Sequence, residues 1–116
     1  MKIFNHKTGL EGERLALQYL LSIGYKQIMT NYSSQYGEID LIMRDKNILV
    51  FVEVKAKKSE NCGLPEEMFT RGKYRKVKRM ATSYLQGKET FCRIDMVAVD
   101  MSITPPMIRH YPNVTF

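Results

Sequence analysis

The chain has 116 residues, a length that accommodates one ordinary domain and excludes a large barrel or a two-domain enzyme. Hydrophobic residues make up 44% and charged residues 26%, which is typical of a globular protein. No apolar run approaches the roughly 18 residues of a membrane-spanning helix, and the first residues lack the apolar core of a signal peptide. We therefore expect a cytoplasmic protein with one domain over residues 1–116 and no membrane segment. Cys62 and Cys92 lack the spacing of a metal site, so we expect free thiols.

The positive charge of the chain is concentrated in its middle. Lysine and arginine number 18, aspartate and glutamate 12, and the formal net charge is +6. Residues 55–93 contain 11 of the basic residues and 4 of the acidic ones, whereas the remainder of the chain is nearly neutral. A basic region of this kind favours a polyanionic partner such as nucleic acid, although solubility accounts equally well for a surplus of this size.

The first predicted element is a helix from Thr8 to Ile23, which Gly24 would end. Its apolar side chains fall on one stripe of a helical wheel, formed by Leu10, Ala16, Leu17, Leu20 and Leu21. Two strands follow, Glu38 to Arg44 and Ile48 to Ala56, and a polar turn joins them into a hairpin. The second strand is apolar at almost every position, which indicates a strand covered on both faces.

A second helix, a third strand and a short last strand complete the prediction. Helical spacing extends from Thr70 to Gln86, and the polar face of this helix is basic. Arg93 to Asp100 has the composition of a strand, and Met107 to His110 is predicted as a short edge strand. The order α, β, β, α, β and a final short β predicts an α/β domain whose mixed central sheet is flanked by helices.

Three acidic residues interrupt the apolar patterns of these elements. Glu13 falls inside the apolar stripe of the first helix, and Asp40 and Glu53 are each flanked by apolar residues in the hairpin strands. A buried charge without a partner is costly, so each of these positions needs an explanation. For Glu13, the alternative is a glutamate at the edge of the stripe, whose stem packs while its carboxylate reaches water or a lysine.

The register of the hairpin decides whether Asp40 and Glu53 are close. If their faces coincide, the two carboxylates repel each other unless a proton, a cation or a metal ion lies between them. Oxygen ligands favour a hard divalent ion, Mg²⁺ or Mn²⁺. Lys55 would lie on the same strand face as Glu53, where its ammonium could orient or help to deprotonate a water molecule. Such a set suits hydrolysis of a phosphodiester, which needs an activated water and positive charge around the phosphate.

Two specific motifs contain these residues, Gly-Glu-Ile-Asp-Leu at 37–41 and Phe-Val-Glu-Val-Lys at 51–55. They resemble motifs of the YraN family of bacterial proteins, and the resemblance covers nearly the whole chain. Further matching positions are Gly12-Glu13, Gly24-Tyr25, Asn31-Tyr32, Pro65-Glu66-Glu67, Lys73 and Arg93-Ile94-Asp95. The family is similar to the archaeal Holliday junction resolvases, so the resemblance implies the restriction-endonuclease-like, PD-(D/E)xK fold and a nuclease activity.

The resemblance also implies a role for each central residue. Glu13 would be the helix-borne carboxylate that faces the metal site, Asp40 the central ligand and Glu53 the second ligand. Lys55 would be the catalytic lysine. The chain departs from the family at Ser33 and Lys57, where arginine is usual, so phosphate contacts near these two positions are in doubt. Related resolvases act as dimers, which makes a homodimer an expectation here.

Residues outside the central set are predicted to bind nucleic acid, most of all DNA. They are Lys57, Lys58, Arg71, Lys73 and Arg75. For Lys73, which matches a family lysine, the alternative is a lysine near the helix start that only packs its stem. Three tyrosines could stack on bases as in single-strand binders or could be ordinary packing residues, namely Tyr25, Tyr32 and Tyr36.

Three functional hypotheses follow from the sequence. The first is a metal-dependent endonuclease that cuts DNA, including branched DNA. The second is a nucleic-acid-binding module that keeps the nuclease fold without efficient catalysis. The third is a small interaction protein whose acidic residues form only structural pairs.

Overall fold

The computed structural model describes residues 3–59 and 63–115, so Cys62 lies outside the described residues. Helix α1 spans Ile3–Ser22 and helix α2 spans Arg71–Leu85, and a short 3-10 turn covers Pro65–Met68. The five strands are β1 Lys26–Ser34, β2 Gly37–Asp45, β3 Ile48–Lys57, β4 Cys92–Asp100 and β5 Met107–Tyr111. The predicted α/β class with a mixed sheet is confirmed, and the order is α-β-β-β-α-β-β.

The five strands form one sheet in the order in which they occur along the chain. β3 and β4 are parallel, and the other neighbouring pairs are antiparallel. The parallel pair requires a crossover connection, which the 3-10 turn and α2 provide. β3 therefore lies in the centre of the sheet, which explains why its sequence is almost continuously apolar.

Each face of the sheet carries one helix and one apolar cluster. On the α1 side, Ala16 and Leu20 pack against Val50, Val52 and neighbouring strand residues. On the α2 side, the helix contributes Val77, Met80 and Ala81 to a cluster centred on the other strand face. Successive side chains of β3 thus alternate between two buried layers.

The second helix agrees closely with its predicted bounds. The Thr70 hydroxyl accepts a hydrogen bond from the Lys73 backbone N–H at 3.2 Å, which caps the amino end. Gln86 adopts a left-handed conformation with φ of 50° and ends the helix. The two residues predicted as its ends are therefore its caps.

The packing face of α1 confirms the centre of the predicted stripe, Ala16, Leu17 and Leu20, but not its edges. Leu10 is 52% exposed and Leu21 is 45% exposed, whereas Gly12, Ala16 and Leu20 form the buried row. The reason is Gly12, because a Cβ atom there would lie only 2.4 Å from the Cβ of Ala56. The helix approaches β3 through a glycine, which a search for apolar side chains does not register.

Strand β1 is a second difference, because the sequence did not predict it. Most of its residues are exposed at the sheet edge, and the pairing with β2 is interrupted between Gln27 and Met29. An exposed edge strand has no need of the alternating apolar pattern from which strands are predicted.

Among the described residues, no helix is both long enough and apolar enough to cross a membrane.

Candidate functional site

Asp40 lies where β2 and β3 stop pairing. The paired residues run from Asp45 opposite Ile48 to Leu41 opposite Val52. One step further, the Asp40 Oδ2 atom accepts a hydrogen bond from the backbone N–H of Val54 at 2.8 Å. A side-chain oxygen thus takes the place of a backbone acceptor, and the two strands separate beyond this point.

A cavity of about 910 Å³ opens where the strands separate. Residues of α1, β2, β3 and α2 line it. Its acidic lining residues are Glu13, Glu38, Asp40 and Glu53, and its lysines are Lys7, Lys55, Lys57, Lys58, Lys73 and Lys76. The structure thus brings together Glu13, Asp40, Glu53 and Lys55, the four residues that the sequence analysis singled out. An acidic centre with a rim of lysines is the result.

Glu53 is buried in this cavity and in contact with Asp40. Burial, a hydrogen bond with the Asp40 carboxyl and the negative charge of Asp40 raise the pKa of Glu53 to about 9. The ammonium groups of Lys55 and Lys73 oppose this rise, and Lys55 Nζ lies 3.6 Å from Glu53 Oε2. At neutral pH the pair therefore holds a proton in the absence of a cation.

Glu13 reaches the same cavity from α1. The close contact of Gly12 with Ala56 brings the helix against β3, and Glu13 is partly buried beside the strand ends. Burial, followed by the charges of Asp40 and Glu38, raises the pKa of Glu13 to about 7. Of the two sequence interpretations, this environment favours the carboxylate that faces the site.

Lys73 also belongs to the cavity and does not merely pack its stem. The neighbouring Lys55 ammonium, burial and a hydrogen bond with Lys55 lower the pKa of Lys73 below its ordinary value of 10.5. Two lysines from different elements, β3 and α2, thus meet beside Glu53. This pair is a concentrated positive charge next to the carboxylates.

The remaining predicted binding residues divide into two groups. Lys57 and Lys58 line the cavity, and Lys58 Nζ also pairs with the Glu11 carboxylate at 3.3 Å. Arg71 and Arg75 are exposed on α2 and do not line the cavity. The structure therefore does not bring these two arginines to the site.

The carboxylates fit a hard divalent ion by their chemistry. All donors are oxygen atoms. Burial and the neighbouring carboxylates raise the pKa values of Glu13 and Glu53, so a cation in the cavity would stabilise their ionised forms. Among the described residues, however, no three histidine, cysteine, aspartate or glutamate side chains are grouped closely enough to hold a metal ion. Asp40 and Glu53 form a pair, and Glu13 stands apart from it. The residues thus fit a site of two carboxylates completed by water.

Two of the three tyrosines suggested for base stacking are buried or engaged in packing. Tyr25 is 7% exposed and donates a hydrogen bond to Asp95, and Tyr32 makes an edge-to-face contact with Tyr84. Of the two alternatives, packing therefore describes these two residues. Tyr36 differs from them because it is exposed.

Asp95 is an ionised residue whose importance the sequence analysis missed. It lies on β4, fully buried on the α1 side of the sheet. Its carboxylate contacts Tyr25 Oη at 3.0 Å, Arg93 Nε at 3.0 Å, His110 Nε2 at 2.7 Å and the Asn113 backbone N–H at 2.9 Å. The signal was present, because Asp95 interrupts an apolar strand in the same way as Asp40.

Comparison with known proteins gives the family. Residues 12–99 match the model of the family described as Uncharacterised protein family UPF0102. The chain belongs to this family. A UPF0102 protein of Dehalococcoides mccartyi is 42% identical over 114 residues, which cover 95% of this chain and 94% of the relative. A UPF0102 protein of Thermodesulfovibrio yellowstonii is 38% identical over 112 residues, 95% of this chain and 96% of the relative. A UPF0102 protein of a Sulfurihydrogenibium species is 46% identical over 92 residues, which cover 75% of this chain and 78% of the relative.

The substitution Glu53→Gln is expected to stabilise the UPF0102 protein at alkaline pH. Because the pKa of Glu53 rises from 4.5 to about 9 on folding, the folded protein binds more protons than the unfolded chain between these values. Its stability therefore falls as the pH rises through that window. A glutamine side chain does not ionise, so the variant should gain about 1–3 kcal/mol over the native protein at pH 8, since one pKa unit corresponds to about 1.4 kcal/mol.

Urea unfolding at pH 5, 6.5 and 8 measures this gain, which should be near zero at pH 5. The control is Glu89→Gln, which removes the same negative charge at an exposed position. Its stability relative to the native protein should not change with pH. Parallel pH profiles for the native protein and Glu53→Gln would contradict the buried, proton-sharing pair.

Proposed function

We propose that this UPF0102 protein is a metal-dependent endonuclease that hydrolyses phosphodiester bonds in DNA, including branched or otherwise structured DNA. The observation that carries the proposal is the contact of Asp40 with Glu53 where β2 and β3 separate, with Lys55 3.6 Å from Glu53. Buried carboxylates with a lysine beside them, inside a cavity rimmed by further lysines, meet the chemical requirements of phosphodiester hydrolysis.

Each central residue has a task in this mechanism. Asp40 and Glu53 would hold Mg²⁺ or Mn²⁺, and Glu13 would face the ion from the α1 side of the cavity. When bound, such an ion polarises the phosphoryl oxygen and acidifies water. The Val54 N–H fixes the orientation of the Asp40 carboxylate. Lys55 stabilises the negative charge that accumulates on the phosphate as water attacks.

Proton transfer and substrate binding fall to the surrounding residues. The pKa of Glu13 is about 7, so its carboxyl can take up or release a proton at neutral pH, as a general base or acid must. Lys57, Lys58 and Lys73 line the cavity and would bind the phosphates on either side of the bond that breaks. Arg71 and Arg75 lie outside the cavity, so the proposal gives them no contact with these phosphates.

The resemblance to the YraN family and to the Holliday junction resolvases supports the same assignment. The motifs that carry it, at 37–41 and 51–55, are the segments that supply Asp40, Glu53 and Lys55 to the cavity. A structured DNA substrate is the part of the proposal that rests on this resemblance alone.

A nucleic-acid-binding module without efficient catalysis is the second candidate. One observation favours it, since within residues 3–59 and 63–115 no three potential metal-binding side chains are grouped closely. This candidate predicts DNA binding that weakens steeply with salt, because phosphate contacts release counterions, and that is unaffected by Asp40→Asn or by metal.

A cleavage assay tests the proposed function. The purified protein, incubated with about 5 mM Mg²⁺ or Mn²⁺ to saturate a site of few carboxylates, is expected to cut linear, flapped or four-way DNA. Addition of EDTA should abolish the cutting, and renewed metal should restore it. If a folded protein cuts none of these substrates with either metal, the nuclease proposal fails and the binding module remains.

A further inference from the structure

The two-residue turn between β1 and β2 carries an exposed aromatic side chain beside the cavity. Tyr36 is 42% exposed, and the Arg79 guanidinium of α2 lies 5.7 Å from the centre of its ring. Arg79 is itself exposed. The two planar groups therefore face solvent together, and the role of neither follows from the mechanism above.

Contacts with α2 hold this turn in place. The Ser34 hydroxyl contacts the Met80 sulfur at 3.1 Å, and a Cβ atom at Gly37 would lie 3.3 Å from the Lys76 side chain. One end of the turn thus contacts α2 through Ser34, and the other end lies close to the Lys76 side chain of the same helix. Tyr36 is in this way a positioned aromatic group on a packed turn.

The same surface continues into the cavity. Gly37, which follows Tyr36 in the chain, belongs to the cavity lining. So does Lys76, which lies one helical turn before Arg79. Asp40 follows Tyr36 by four positions, a distance of about 13 Å at a rise of about 3.3 Å per residue. This corresponds to about four nucleotides, since stacked nucleotides rise about 3.4 Å each.

We propose that Tyr36 and Arg79 form a stacking site for an unpaired base of the DNA strand whose backbone occupies the cavity. The inference rests on the proposed function and adds a substrate class, namely DNA with a single-stranded segment about four nucleotides from the scissile phosphate. Bases in a duplex are already stacked on one another, so their faces are closed to Tyr36. An unpaired base offers its face, and aromatic and guanidinium planes bind it without regard to sequence.

The lysines and the stacking pair act on different parts of the same strand. Lys73 and Lys76 supply charge that attracts the phosphate backbone of single-stranded and duplex DNA alike. The stacking pair distinguishes these two forms. If Arg79 only stabilised the turn, removal of the Tyr36 ring would change stability and leave the preference for single strands unaltered.

Binding measured without metal separates this inference from catalysis. The probes are a labelled 12-nucleotide single strand and the matching duplex, with EDTA present, and the readout is fluorescence anisotropy. The variants are Tyr36→Ala, Tyr36→Phe and Arg79→Ala. Phe91→Ala is the matched control, because Phe91 is 75% exposed and lies elsewhere on the surface.

Tyr36→Ala is expected to weaken single-strand binding by about 5- to 100-fold, the range observed when one stacked base loses its aromatic partner. Tyr36→Ala should bind the duplex within about twofold of the native protein, because the phosphate contacts remain. Tyr36→Phe and Phe91→Ala should bind the single strand within about twofold of the native protein, because both retain an aromatic ring at position 36. A single strand with 2-aminopurine at successive positions should show quenching at one position that Tyr36→Ala removes.

Three results would overturn the stacking site. They are equal single-strand affinities for Tyr36→Ala and the native protein, an equal loss on single strand and duplex, and no single-strand binding by the native protein. None of these measurements involves cleavage. A protein that binds single strands through Tyr36 but cuts no DNA would therefore refute the nuclease proposal and retain the stacking site.

Discussion

Replacement of Asp40 by asparagine is expected to lower the rate of metal-dependent DNA cleavage by about 100- to 1,000-fold. The asparagine carbonyl oxygen can still accept the hydrogen bond that the Val54 N–H donates at 2.8 Å, so the strand geometry is preserved. What the substitution removes is the negative charge beside Glu53. Without this charge the pair binds a cation more weakly, and the pKa of Glu53 loses one of the effects that raise it, although burial remains.

Single-turnover cleavage of one DNA substrate, at several metal concentrations, measures this loss. Circular dichroism and the urea midpoint check that Asp40→Asn remains folded. Glu89→Gln is the control for the change of charge, because Glu89 is exposed and lies outside the cavity lining. Undiminished cleavage by folded Asp40→Asn would show that Asp40 is not part of the catalytic site.

Replacement of Asp95 by alanine is expected to lower the free energy of unfolding by about 3–5 kcal/mol, the usual cost of removing one partner from a buried charged network. The Asp95 carboxylate has contacts with Tyr25, Arg93, His110 and the Asn113 backbone. Its removal leaves the Arg93 guanidinium with Asp45 as an ionic partner. It also removes the carboxylate that contacts the Tyr25 hydroxyl and His110 Nε2. A loss of this size is a large part of the stability of an ordinary domain, about 5–15 kcal/mol.

The effect of Asp95→Ala should also depend on pH. Burial alone would raise the pKa of Asp95, but hydrogen bonds from His110, Asn113 and Arg93 hold it below the ordinary 3.8. The carboxylate therefore stabilises the fold above pH 3.8, and this contribution is lost as the pH falls through the lowered native pKa. Asp95→Ala should flatten the acid side of the stability curve accordingly.

Urea unfolding at pH 7 and at a series of lower pH values measures both effects. Glu89→Ala serves as the exposed control and should cost less than about 0.5 kcal/mol. Asp95→Asn retains two polar atoms and should fall between the native protein and Asp95→Ala. If Asp95→Ala cost no more than the exposed control, the account of this network would be wrong.

The sequence predicted those parts of the fold that follow from regular patterns. The bounds of α2 were predicted from helical spacing alone, and the two residues at the predicted ends, Thr70 and Gln86, are its caps. The hairpin strands β2 and β3 agreed because each is apolar and a polar turn lies between them. Where local preference and tertiary packing point to the same structure, a single sequence is enough.

The features that the sequence did not predict depend on tertiary contacts. Strand β1 is held by pairing with β2, at an edge where its own residues are mostly exposed. The packing of α1 depends on Gly12, whose missing side chain allows the contact with Ala56. Neither a strand that lacks an apolar face nor a helix that packs through a glycine has a distinct hydrophobic pattern.

The candidate site was accessible from the sequence because charged residues in apolar elements are rare. Asp40 and Glu53 were identified by this rule, and the contact between them follows from the register of β2 and β3. Asp95 satisfies the same rule but forms a structural network on the other face of the sheet. Only the three-dimensional arrangement separates the carboxylates at the cavity from the carboxylate that holds the core together.

Direct titration with Mn²⁺ is the most decisive test of the central claim, that the carboxylates at the cavity bind a divalent ion. Calorimetry at pH 7 in two buffers of different ionisation enthalpy should show saturable binding by the native protein. Binding should release protons, because ion binding displaces the proton held by the pair of Asp40 and Glu53. Asp40→Asn and Glu53→Gln should each weaken binding by about 10-fold or more, and Glu89→Gln should not. Equal binding by the native protein and Asp40→Asn, or no binding by the native protein, would contradict the account.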